Sequence, residues 1–186
     1  LHGAVEFAQE AAARGIKPII GTEISAAGQT LHVYVQNETG YHNLCHLLSA
    51  QDVGDEVTRR NVDISSELLA AHANGLIAVG ASPALAPLFP GRFYLGIDTL
   101  DQLEKSPANL PRVAFSPVHY DQPSDRWKYQ IVQSIRTLTL LRQAHPEKRE
   151  GDFHFHAPAE LHKRFAEHTD LLAHSREIAD RCDFAI

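Results

Sequence analysis

Three residues combine side-chain type and position in a way that suits metal chemistry: Glu23, His32 and His119. Glu23 closes the run Gly15-Ile16-Lys17-Pro18-Ile19-Ile20-Gly21-Thr22-Glu23. A carboxylate placed after an apolar stretch and a glycine is poor core filler; it serves as a ligand, a general base or a hydrogen-bonded turn residue. His32 lies inside the strand-like run 31–35, where a satisfied core histidine is the alternative. His119, in Pro117-Val118-His119-Tyr120, follows another strand-like run. A carboxylate and two imidazoles at strand ends would suit zinc or manganese, and three protein ligands plus water suffice to hold one ion.

The chain carries 12 histidines, and most are read differently. His42, His46, His72, His162, His168 and His174 fall at polar positions of helical segments and are expected at the solvated surface. His154 and His156 alternate in Phe153-His154-Phe155-His156, so they share one side of an extended segment. Two such histidines can bind a metal, but no acidic or cysteine partner is expected near them in sequence, and they are assigned structural or surface roles.

The elements that must position these residues follow from periodicity. Ala4, Phe7, Ala8, Ala11 and Ala12 recur at helical spacing, with Gly15 as the stop. Residues 16–20 read as a short buried strand ending near Gly21 and Glu23, and 31–35 as the next. Tyr41, Leu44, Leu47 and Leu48 mark a helix. The polar stretch 51–61, with Arg59 and Arg60, has the composition of a loop. Leu68, Leu69 and His72 mark another helix, followed by Gly75 and a strand over 76–79. Residues 93–97 and 113–115 are further strands, with a short helix at Leu100 and Leu103 between them. Ser124 and Asp125 can cap a helix running through Trp127, Ile131, Ile135 and Leu138. Pro158 opens another, and Asp170 can cap the last. Strands alternating with amphipathic helices predict an α/β fold with a largely parallel sheet. In such folds chemistry gathers at the carboxyl ends of strands, where Glu23, His119 and the turn at Gly80 and Ala81 fall.

Composition bounds the rest. At 186 residues with a net charge of −6, the chain fits one domain with a real core and has no global electrostatic footprint for nucleic acid. Cys45 and Cys182 lie far apart without metal-like spacing, which fits a reduced cytoplasmic setting. No apolar run approaches a membrane span, so no membrane contact is expected.

Several segments, in order, resemble one family. Gly15 to Glu23 resembles the stretch ending in a metal-binding glutamate in the PHP domain that begins bacterial DNA polymerase III alpha subunits. Asn37-Glu38-Thr39-Gly40-Tyr41-His42-Asn43-Leu44 resembles its NxxGYxNL helix entry. Gly75-Leu76-Ile77-Ala78-Val79 resembles its GLI strand. Residues 113–120 resemble its VATNDVHY strand end. Ile135-Arg136-Thr137 and Ile178-Ala179-Asp180-Arg181-Cys182 resemble its closing helices, and His145 to Arg149 leans toward the error-prone branch.

The resemblance implies a PHP-type distorted (β/α)7-like barrel with a multinuclear metal site at its strand ends. In active relatives such a site hydrolyses phosphoesters and can proofread as a 3′–5′ exonuclease. It also implies departures. The family's HxH and TDHG motifs are not in this chain, which opens at Leu1 inside a helical pattern. The expectation is therefore one partial domain over 1–186, N-terminally truncated and lacking the first barrel strands. The family's middle ligand falls near Ala81, and the aspartate of its DxH motif falls on Pro117; neither side chain can coordinate. Glu23, His32 and His119 remain as remnant ligands for zinc or manganese, bound weakly or not at all. The implied role is a structural and interaction module of a DNA-directed DNA polymerase. Its partners would be the polymerase core domains of the same parent chain, with DNA reached through that parent. The alternative is a metal-dependent phosphoesterase or proofreading exonuclease; a free-standing PHP phosphatase fits the polymerase-like segments less well. Exposed sheet edges would also favour non-physiological self-association.

Overall fold

The computed structural model describes residues 3–51 and 63–186. The loop expected over 51–61, with Arg59 and Arg60, falls almost wholly outside the described residues. The chain divides into two compact units, Leu1–Ala114 with Asp170–Ile186, and Phe115–Thr169.

The first unit is built on a five-stranded sheet in the order β1-β2-β3-β4-β5. The strands are β1 (Gly21–Ala26), β2 (Gln29–Val35), β3 (Leu76–Gly80), β4 (Phe93–Ile97) and β5 (Arg112–Ala114). β1 and β2 pair antiparallel, as do β2 and β3; β3, β4 and β5 run parallel. The sheet is thus mixed rather than largely parallel. The cause at its first junction is a two-residue turn, Ala27 at φ 49° and Gly28 at φ 71°. This is the twist of the hairpin turn that joins antiparallel neighbours. Asp63 braces the turn, accepting from Ser25 Oγ at 2.6 Å and from the Gly28 amide at 2.8 Å.

The first strand begins later than expected. Residues 16–20 form no strand, and Ile16 is 59% exposed. Pro18 lacks the N–H a ladder needs, and only Ile20 is buried there. Glu23 therefore lies within β1 rather than after a strand.

One sheet face carries Ile24, Ala26, Leu31, Val33, Val35, Leu76, Ala78, Phe93 and Leu95, all in the main core. Leu44 and Leu47 of α2 (Glu38–Gln51) and Leu69 of α3 (Ser66–Ala71) join this core. The NxxGYxNL segment docks α2. Asn37 Oδ1 accepts from the Gly40 amide, and Asn43 Nδ2 donates to the Asn74 carbonyl at 2.8 Å. A Cβ on Gly40 would stand 1.9 Å from the Gly75 carbonyl oxygen, so only glycine permits this approach.

The opposite face carries Glu23, His32, Tyr34, Ile77, Val79 and Tyr94. Along it runs α7 (Thr169–Arg181), which starts one residue before Asp170. Tyr94 Oη donates to Glu177 Oε1 at 2.7 Å and accepts from Arg181 Nη1 at 2.6 Å. Lys17, from the segment that leads into β1, donates to the Ala179 carbonyl at 3.1 Å near the end of α7. α1 (Ala4–Ala13) and α4 (Leu100–Lys105) complete the unit, α4 opening on a Thr99–Gln102 capping box.

The second unit holds α5 (Arg126–Arg136) and α6 (Pro158–Arg164). α5 follows a 3-10 turn at Pro123–Asp125. Asp125 precedes it without a side-chain capping bond and instead pairs with Lys128 at 2.6 Å. Leu138, expected in this helix, lies beyond its end at φ 52° and is 93% exposed.

Candidate metal-ligand clusters

Glu23 and His32 are cross-strand partners in the β1–β2 register. Each sits four positions from the Ala27–Gly28 turn, so the turn length sets their pairing. His32 Nε2 lies 3.9 Å from Glu23 Oε2, an ion-pair distance rather than a hydrogen bond, with both side chains partly open to solvent. Ala81, just past the end of β3, offers no donor side chain.

His119 belongs to the second unit, five residues beyond the last residue of β5. It stacks on Tyr129 with ring centroids 4.8 Å apart and meets Phe153 edge-on at 5.0 Å. Its backbone amide donates to the Phe153 carbonyl at 2.8 Å. His119 thus stands in an aromatic cluster rather than directly at a strand end. Pro117 lies in the irregular run that leads to it.

The histidines expected on helices divide, and His168 lies between α6 and α7 rather than in either. His42, His46 and His162 are exposed as expected. His72, His168 and His174 are half-buried instead: His72 Nδ1 meets Asn43 Oδ1 at 3.1 Å, and His174 Nδ1 meets the Arg112 carbonyl at 2.7 Å. These contacts fasten helices to their neighbours.

The larger correction concerns His154 and His156, which have acidic partners close in sequence. Among the described residues, the ligand atoms of His154, His156 and Glu160 all lie within 4.8 Å of one another. Glu160 Oε2 stands 3.6 Å from His154 Nε2 and 3.5 Å from His156 Nδ1. It also accepts from the Ala157 amide at 3.0 Å, in the first turn of α6. Asp152 Oδ1 lies 2.8 Å from His154 Nδ1. The bond from His154 holds the Asp152 carboxyl below its usual range, and Asp152 in turn raises His154. The Ala157 amide lowers Glu160. The missed signal was legible as D-x-H-x-H-x-x-x-E. Pro158 turns the extended segment into a helix and brings Glu160 back over the two imidazoles.

The PHP domain family model matches residues 1–93, half of the chain and most of the sheet. The chain belongs to the PHP domain family. Beyond the match to the PHP domain itself, relatedness extends along nearly the whole chain. The error-prone DNA polymerase of Symbiobacterium thermophilum is 28% identical over 98% of this chain and 21% of its own length. The DNA polymerase III subunit alpha of Chlamydia pneumoniae is 24% identical over 99% of the chain and 21% of its own. That of Thermus aquaticus is 26% identical over 98% and 19%. The chain spans about a fifth of the length of the curated relatives it matches. No helix among the described residues is long and apolar enough to cross a membrane.

Proposed function

We propose that this chain is the PHP domain of a bacterial DNA polymerase III alpha subunit, in the replicative or error-prone branch, and serves there mainly as an interaction module. Both compact units are read as parts of that one domain, because the similarity to alpha subunits runs through both. The parent would act in the cytoplasm, in DNA replication or damage tolerance, with nucleotidyl transfer carried by domains this chain does not include. A distorted barrel is the fold this reading implies for the whole domain.

The observation that carries the reading is an apolar surface of the second unit. Trp127, Val132, Ile135, Leu138, Leu140 and Leu141 are all more than half exposed. Large apolar side chains gathered in one short stretch mark a contact surface, and the other domains of the parent chain are its natural partner.

The remnant-ligand set does not fit a multinuclear centre. Glu23 and His32 supply two donors, while Ala81 and Pro117 supply none where the family places ligands. No hydrolytic step is assigned to them. The alternative, a metal-dependent phosphoesterase or 3′–5′ exonuclease, would need a fuller donor set around Glu23.

The test uses the full parent polymerase. Ile135→Asp with Leu140→Asp should lower the temperature at which polymerase activity is lost, while the same changes leave the melting of this chain alone nearly unchanged. Equal thermal inactivation of variant and parent would refute the interaction role. Manganese- or zinc-dependent exonuclease activity that disappears with Glu23→Ala would install the alternative.

A further inference from the structure

We propose that His154, His156 and Glu160 form a site for one divalent transition-metal ion, zinc being the best match, in the second unit. The site shares no residue with the Glu23, His32 and His119 set and does not depend on how that set is read.

The burial pattern of the segment is the first argument. His154 and His156 are only 9% and 8% exposed, whereas Phe155 between them is 67% exposed. An extended segment that turns two imidazoles inward and a phenyl ring outward runs against the hydrophobic effect. What balances the imidazoles is polar rather than apolar: the carboxylate of Glu160, itself open to solvent, stands beside both rings.

Distance is the second. The two imidazole nitrogens lie 3.6 and 3.5 Å from Glu160 Oε2. Those separations exceed the 2.7–3.2 Å usual for an N–H···O hydrogen bond. They are close to the edge of a tetrahedron of ligands around zinc, about 3.3–3.4 Å for bonds of about 2.0–2.1 Å. Two nitrogens and one carboxylate oxygen select zinc or a neighbouring transition ion over calcium or magnesium, which prefer all-oxygen shells. Water would fill the fourth position.

The surrounding groups supply the third argument and a discriminating test. Asp152 accepts from His154 Nδ1, so in the neutral ring the Nε2 lone pair faces Glu160, as a metal-bound histidine requires. On the other side, Arg164 Nη2 lies 3.2 Å from His156 Nε2. A guanidinium only donates, so here Nε2 presents its lone pair and Nδ1 carries the proton, directed at Glu160. Metal binding at Nδ1 moves that proton away and leaves Nε2 protonated, so Arg164 must turn aside. Ser116 Oγ, 3.4 Å from its Nη1, offers one acceptor for it. Arg164 therefore competes with the ion, and removing it should tighten binding.

The experiment titrates the purified chain with zinc by calorimetry and with cobalt by visible absorption. One equivalent should bind, and cobalt should give the intense bands of a tetrahedral site. Glu160→Gln and His156→Asn should weaken binding at least tenfold, Arg164→Gln should strengthen it severalfold, and Glu23→Ala should leave it unchanged. Glu160 is solvent-exposed and its glutamine can keep the Ala157 bond, so that variant carries the test if His156→Asn does not fold. Absence of stoichiometric binding, or undiminished binding by Glu160→Gln, would overturn the proposal. Binding lost with Glu23→Ala alone would overturn it too, and would count against the proposed function as well.

Discussion

Glu23 and His32 stand directly opposite each other on β1 and β2, four positions before Ala27 and four after Gly28. Their 3.9 Å contact is half open to solvent, and exposed pairs of this kind contribute little, about 0–1 kcal/mol. Glu23→Gln should accordingly shift the unfolding free energy by no more than about 0.5 kcal/mol. Denaturant titration checks this, and a loss above about 2 kcal/mol would show that the pair holds more than the hairpin surface.

The turn that sets their register can be improved. Ala27 takes a left-handed conformation that disfavours residues with a Cβ, and the turn type prefers Asn-Gly. Ala27→Asn should stabilise the chain by about 0.5–1 kcal/mol. A lower melting temperature for this variant would mean that the longer side chain costs more than the backbone preference gains, while the amide bond to the Ile64 carbonyl stays available to either residue.

Gly40→Ala tests the docking of α2. The added methyl would meet the Gly75 carbonyl oxygen at 1.9 Å, so α2 or the turn before β3 must move. The expected loss is above about 3 kcal/mol, in the range of severe overpacking. Circular dichroism melting reports it, and a near-normal melting curve would contradict the close approach.

Alkaline pH should destabilise the first unit. Burial pushes the Cys182 thiol up from 9.0 to about 11. Burial and the bond to Glu177 push the Tyr94 hydroxyl up from 10.0 to about 12. Both groups are neutral when protonated, so the unfolded chain ionises first. Their contribution is fully present below about pH 9 and is lost as pH rises toward 11 for Cys182 and 12 for Tyr94. The unfolding midpoint should fall across that window, and Cys182→Ser should flatten its lower half. A midpoint level from pH 8.5 to 11 would go against the assignment.

Tyr94→Phe isolates the α7 contact. It removes the hydroxyl shared by Glu177 and Arg181 while leaving their own 3.2 Å contact. A loss of about 1–2 kcal/mol is expected from chemical denaturation; an unchanged midpoint would show that α7 is held by its apolar side chains alone.

Most elements were legible because their periodicity is local. The helix at Ala4–Ala13, the strands at 76–80 and 93–97 and the Pro158 helix all follow from spacing and caps. What was not legible depended on long-range pairing. Pro18 stops the ladder that the apolar run 16–20 suggests, and an antiparallel β2–β3 junction cannot be read from strands separated by two helices. At the candidate sites, Glu23 opposite His32 required the register, which rests on the Ala27–Gly28 turn. Glu160 was nearer to hand. It lies four residues after His156, and only the turn at Pro158 makes that spacing matter.

The bond from Lys17 to the Ala179 carbonyl joins residues 162 positions apart. During synthesis this has a temporal meaning. The strands of the first unit leave the ribosome well before α7, and the 55 residues of the second unit, 115–169, are made in between. Through that interval the face bearing Ile77, Val79 and Tyr94 waits without the helix that runs along it. Long-range closure of this kind is slow and leaves apolar surface available to chaperones and to other nascent chains. Strands translated well before α7 thus reach their final environment only once that helix has followed them.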